Sequence, residues 1–227
     1  MKFKLIENLE VAPGVWSFRF DPPHKLDWTP GQYIEYNLPH EHPDDRGITR
    51  WFTISSTPDE AYLQITTRID AKRSSSFKLA LLALKPGDTI EAGSPEGDFT
   101  YLSHDPAVFL AGGIGITPYR AIIAARHKLG ASLPITLCYG ARDNNFVFYD
   151  ELENIRAHHP EMKINYIVAD ISFTREFLST NLASWKDKMI YVSGPEVMVE
   201  ALDDELKTLK VPERLRKSDY FPNYLSV

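Results

Sequence analysis

The hydrophobic period of this chain changes once, near residue 103, and that change constrains the fold more than any other feature. Before it, apolar residues alternate in short runs: Trp16, Phe18 and Phe20; Tyr33, Ile34 and Tyr36; Phe52 and Ile54; Tyr62, Leu63 and Ile65; then Ile90. A period of two marks half-buried strands, and Pro13-Gly14, Pro30-Gly31, Pro58-Asp59 and Pro86-Gly87-Asp88 supply the turns between them. With the strand-like start MKFKLIENLE, this predicts a six-stranded antiparallel barrel interrupted by one helix over 77–84. From Ala107 onward, apolar segments (AVFLA, ITLCYG, INYIVA and MIYVSG) alternate with amphipathic stretches. That is the pattern of a doubly wound parallel sheet with helices on both faces, its strands too apolar to leave one face wet. The expected domains are therefore 1–104 and 105–227, with a site in the cleft between them.

Composition narrows the classes of function. The chain is 43% hydrophobic with a formal charge of -6, which excludes disorder and argues against nucleic-acid binding. No apolar run approaches the roughly 20 residues of a membrane span, and the start lacks a signal-peptide pattern, so a cytoplasmic location is expected. A single cysteine, Cys138, permits no disulfide framework and no four-thiolate iron-sulfur cluster from this chain alone. The pairs His40/His42 and His158/His159 read as exposed loop histidines, and no metal is expected. Lys207, Lys210, Arg214, Arg216 and Lys217 crowd around the single acid Glu213, either as a solvated helix end or as a surface for an acidic partner.

The chemistry concentrates at the predicted strand ends. In LAGGIGITPYRAII, a buried strand runs into Gly112, Gly113 and Gly115, with Thr117 expected as N-cap and Pro118 as the first residue of a helix ending near Gly130. Glycines there let backbone amides approach a ligand, and a helix N-terminus suits a pyrophosphate; the alternative is a tight strand-to-helix connection with no ligand. The spacing departs from G-x-G-x-x-G because Pro118 stands at the third glycine position. A second such loop, Ser193-Gly194-Pro195, should open on the same sheet edge. Between them Arg142 lies just past a strand end, placed for a phosphate or for an ion pair with Asp143 or Asp150. In the barrel half, RWFT brings a cation, flat rings and a hydroxyl into one strand: Arg50, Trp51, Phe52 and Thr53. An aromatic cofactor bearing phosphates needs those groups, although a half-buried strand with an exposed arginine has the same composition.

Taken in order, these motifs resemble the ferredoxin-NADP reductase-like flavoproteins over almost the whole chain. Pro30-Gly31-Gln32-Tyr33 is similar to that family's early barrel turn, and Arg50-Trp51-Phe52-Thr53 to its Arg-x-Tyr-Ser/Thr flavin motif. Lys85-Pro86-Gly87-Asp88 and Ser94-Pro95-Glu96-Gly97 resemble the barrel closure, 112–118 the nicotinamide loop, and Ser193-Gly194-Pro195 the Cys-Gly-Pro motif. The resemblance implies a flavin-binding barrel in which Arg50 binds the FAD pyrophosphate, Phe52 packs on the flavin and Thr53 bonds near its N5, with Thr66 also in the flavin site. Ser75 and Ser76, at the start of the barrel-half helix, are both candidates for the phosphate. Tyr220-Phe221 resembles the aromatic that covers the other flavin face. Thr117, Ser193 and Phe221 would shape the nicotinamide position.

Two departures are visible: Phe52 stands for the family's tyrosine and Ser193 for its cysteine. Asp170, after INYIVA, favours NADH over NADPH because a carboxylate repels a 2′-phosphate, whereas Arg175 nearby would favour the phosphate. The implied activity is hydride transfer from NAD(P)H to FAD, then single-electron release to a separate carrier, ferredoxin- or flavodoxin-like and acidic. The alternatives are reduction of free flavin or ferric chelates, and a non-catalytic flavin- or nucleotide-binding subunit. No acid-base triad is expected.

Overall fold

The computed structural model describes residues 1–168, 173, 175–185 and 187–220. Its first half contains β1 (Lys2–Ala12), β2 (Val15–Asp21), β3 (Tyr33–Asn37), β4 (Thr49–Thr53), β5 (Leu63–Arg68), α1 (Ser76–Ala83) and β6 (Thr89–Ala92). The six strands form one antiparallel sheet in the order β4-β3-β6-β1-β2-β5, and an isolated bridge between Ile54 and Ile65 brings its two edges together as a barrel. The period-two pattern explains which side chains turn inward. Phe3, Leu5, Phe18, Phe20, Ile34, Tyr36 and Ile90 are all almost fully buried, and Phe77 and Leu81 of α1 plug the barrel. Between β1 and β2, Pro13 and Gly14, with Gly14 at φ +68°, meet the needs of a type II turn.

The second half reads β7 (Ala107–Gly112), α2 (Ile116–Lys128), β8 (Ile135–Ala141), α3 (Tyr149–Ala157), β9 (Lys163–Val168), α4 (Arg175–Trp185), β10 (Met189–Ser193), α5 (Glu196–Thr208) and β11 (Arg216–Asp219). The strands are parallel in the order β11-β10-β7-β8-β9. The chain leaves β7 towards β8 and β9, then returns to the other side of β7 with β10. The switch point is therefore the β7/β10 pair, where the carboxyl ends of two neighbouring strands part and open a crevice.

Three details differ from the expectations. β11 lies within the run read as a solvated helix end; RKSD has no apolar alternation, and only its pairing with β10 makes it a strand. β9 is an edge strand with residues such as Val168 half exposed, so one strand does have a wet face. α2 begins two residues earlier than the sequence suggests. Gly113–Gly115 form a 3-10 turn, Gly115 is the N-cap, and Thr117 and Pro118 are the second and third helical residues. Proline costs nothing there, because first-turn N–H groups have no intrahelical partner. The connection between the halves is packed into the second half. Phe99 and Tyr101 pack edge-on against Tyr191 and Phe109, inside the core of the parallel sheet.

Candidate functional site

The two glycine loops meet at the switch point. A Cβ on Gly112 or Gly194 would collide with the Met198 thioether, and one on Gly115 with the Ser193 carbonyl. Only Gly115 meets backbone of the other loop and is required by that contact; at Gly112 and Gly194 the obstacle is the flexible end of the Met198 side chain. Gly113 differs: at φ +53° it has nothing within 4 Å of a Cβ position, so its open side faces away from the packed loops. Pro195 is the N-cap residue of α5, so both helices start at this one crevice.

Here the barrel joins the parallel sheet. A narrow cavity of about 50 Å³ is lined from the barrel by Phe52, Thr53 and Thr66, and from the other half by Ile114, Gly115, Thr117, Ser193, Gly194, Pro195 and Asp219. Residues singled out far apart in the sequence are therefore neighbours; Ile114 and Asp219 are additions. A larger groove, about 440 Å³ and lined by Lys2, Glu35, Asn37 and Glu91 among others, contains none of the motif residues.

Two polar atoms in the small cavity stand out. Thr53 Oγ1 and Asp219 Oδ2 are both buried, and neither has a hydrogen-bond partner among the described residues. Such groups cost free energy unless something bonds to them, so the pair makes this cavity a candidate to receive a polar ligand. Burial, with the charge of Asp98 adding to it, pushes the Asp219 carboxyl up to about 7. The two other threonine hydroxyls are engaged. Thr117 Oγ1 donates to the Ile114 carbonyl at 3.1 Å, and Thr66 Oγ1 shares hydrogen bonds with Ser17 and Ser55 at 2.8 and 3.0 Å. Asp219 carries no motif signal. Its only mark in the sequence is its place immediately before the aromatic pair Tyr220-Phe221.

Along β4 the side chains divide. Trp51 is 40% exposed on the outside of the barrel. Phe52 is buried, its ring 6.0 Å from Tyr36 and 5.9 Å from Phe77, so one side of it belongs to the barrel core. The Arg50 guanidinium donates to the Arg46 and Thr49 carbonyls, lies 3.6 Å from Asp44 and sits over the Phe77 ring. Asp44 also accepts the Ser76 backbone N–H at 2.9 Å, and its own N–H donates to Ser76 Oγ. A carboxylate thus stands between Arg50 and the N-terminus of α1, where the resemblance implies a phosphate. Ser75 is the N-cap and accepts the Lys78 N–H, while the Ser76 hydroxyl is held by Asp44 and His40.

Other expected residues fall as follows. Arg142 is exposed beyond β8 and, among the described residues, forms no ion pair. Tyr220 is 43% exposed. Asp170 and Phe221 lie outside the described residues. His40 is not an exposed loop residue but bonds Ser76, and His159 meets His127 at the end of α2, 2.9 Å between ring nitrogens. No group of side chains among the described residues is arranged to hold a metal ion. Much of the basic run is neutralised within the chain: Lys207 pairs with Asp203 and Asp204, Arg216 with Asp203, and Lys217 with Asp98. No helix among the described residues is long and apolar enough to cross a membrane.

Comparison with known proteins agrees with this architecture. Residues 2–101 match the family described as oxidoreductase FAD-binding domain, and residues 109–204 the oxidoreductase NAD-binding domain. The chain belongs to the ferredoxin-NADP reductase-like family of FAD/NAD(P)H oxidoreductases. It is 29% identical to a flavohemoprotein of Pseudomonas putida over 97% of its own length and 58% of the relative's. It is 32% identical to ferredoxin-NADP reductase B of Sorangium cellulosum over 75% of this chain and 66% of that one. The fold of Plasmodium falciparum ferredoxin-NADP+ reductase superposes with a TM-score of 0.81 at 17% identity, covering 96% of this chain and 95% of that chain. The chain thus spans little more than half the length of the flavohemoproteins it matches.

Proposed function

We propose that the chain is an FAD-dependent NAD(P)H reductase that passes electrons to a separate acceptor. The observation that carries this reading is the pair Thr53 Oγ1 and Asp219 Oδ2. One comes from each half of the chain; both are buried, unpartnered among the described residues and in one cavity at the switch point. FAD, when bound, supplies a two-electron acceptor able to release electrons one at a time.

The residues divide the remaining work. Thr53 offers a hydroxyl, donor and acceptor at once, to a polar ring edge. Asp219, titrating near neutral pH, holds or releases a proton in the same cavity. Ser193 lies opposite Asp219 in the sheet register, and Thr117 stands on the first turn of α2, so both approach the cavity from rigid elements. Phe52 closes the barrel side with an apolar ring. Reaching the anion site at Arg50 and α1 requires a phosphate to displace the Asp44 carboxylate.

NADH is favoured through Asp170. An acidic carrier protein is the proposed acceptor, through Lys210 and Arg214, which are exposed and form no ion pair among the described residues. Because the rest of that run is internally paired, reduction of free flavin or ferric chelates is the second reading. An anaerobic titration separates them. Bleaching of bound FAD by NADH supports the reductase reading, and turnover that depends on an added carrier protein favours the first acceptor over the second. A chain that neither binds FAD nor bleaches overturns both.

A further inference from the structure

Arg120 joins the two sides of the cavity from beneath. It lies on α2, one turn after Thr117, and is 9% exposed. Its Nη1 donates to the Ser55 carbonyl at 2.8 Å and to Glu60 Oε2 at 2.7 Å, its Nη2 to Glu60 Oε1 at 3.0 Å, and its Nε to Glu151 Oε2 at 2.9 Å. Ser55 is two residues beyond Thr53. One guanidinium therefore ties the segment just past β4, the strand that ends at Thr53, to the helix that carries Thr117, and both of those residues line the cavity.

The grip is rigid. Glu60 is itself fixed by the Thr57 N–H at 2.6 Å and the Tyr62 hydroxyl at 3.0 Å. Burial alone would raise the Glu60 carboxyl, but Arg120 outweighs it and holds the acid below its usual range, so the pair is charged at neutral pH. A planar fork on a carboxylate plus a third bond to a carbonyl sets distance and angle together, which a lysine ammonium does not do.

We propose that Arg120 is a positioning residue, its fork on Glu60 and the Ser55 carbonyl setting the separation between the Thr53 and Thr117 sides of the cavity and hence the alignment of hydride donor and acceptor. This rests on the flavin reductase reading.

The test uses the full chain loaded with FAD, as Arg120→Lys and Glu60→Gln, reduced anaerobically by NADH and by NADH deuterated at the transferring carbon. The limiting bleaching rate should fall about ten- to a hundredfold while half-saturation by NADH moves less than about threefold. The deuterium isotope effect should grow more temperature-dependent. FAD content and the thermal midpoint report folding. Where either variant fails to fold, Arg120→Met combined with Glu60→Met removes the fork without leaving Glu60 as an unpaired acid, and the same rate loss is expected. Folded variants that bleach within about twofold of the parent, with the parent's isotope effect, overturn the positioning role alone. A parent chain that binds no FAD overturns the reductase reading, and this role with it.

Discussion

Ser193 and Asp219 stand in register on the parallel strands β10 and β11, and both line the cavity at the switch point. Ser193 ends a strongly apolar strand and announces itself. Asp219 ends a strand of four polar residues and acquires its position only through pairing with its neighbour.

Asp219 predicts a pH dependence. A carboxyl raised from its usual value to about 7 favours the fold when protonated, so its contribution is complete below about pH 4 and is lost as pH rises through 7. Asp219→Asn should flatten the thermal midpoint across that window and raise it at pH 8 by about 2–4 °C, the equivalent of ~1 kcal/mol in a chain of this size. Melting curves at pH 5 and pH 8 check this. An unchanged slope would remove Asp219 from the account.

The glycines should separate by substitution. Gly115→Ala drives a methyl group into the Ser193 backbone, which cannot yield cheaply, and should cost about 1–3 kcal/mol and weaken NADH binding. Gly113→Ala meets open space and pays only for its left-handed backbone, about 1–2 kcal/mol. If an alanine at 113 weakens NADH binding more than its stability loss explains, a ligand touches that position. Denaturant midpoints and NADH titrations on both variants decide.

Asp44 should act as a competitor for phosphate. It occupies the α1 N-terminus and approaches Arg50, so Asp44→Ala is expected to tighten FAD binding severalfold, roughly 1 kcal/mol, whereas Arg50→Ala weakens it by about 2 kcal/mol. Flavin fluorescence titrations measure both. Weaker binding in Asp44→Ala would show that the carboxylate organises the site rather than contests it.

The barrel, the parallel sheet and both glycine loops were legible because each rests on local periodicity or on turn chemistry confined to a few residues. Thr53 and Ser193 were legible as cavity residues through the motifs they sit in, and Thr66 only through the family resemblance. What could not be read were pairings over long separations. Arg120 looked like an ordinary helix residue because Glu60 is far away in the chain, and Arg216 and Lys217 looked unpaired because Asp203 and Asp98 meet them only in the fold. Thr117 was placed as a cap because a threonine before a proline is the usual start of a helix; the glycine turn wound into the helix earlier instead. His40 looked like a loop histidine because its partner, Ser76, lies across the barrel loop.

The most direct measurement is anaerobic stopped-flow absorbance of the FAD-incubated chain mixed with NADH and, separately, with NADPH. Rapid bleaching of the flavin band, faster with NADH, is the predicted result. A chain that retains no flavin, or holds flavin that neither nucleotide bleaches, would contradict the assignment of the Thr53–Asp219 cavity to hydride transfer.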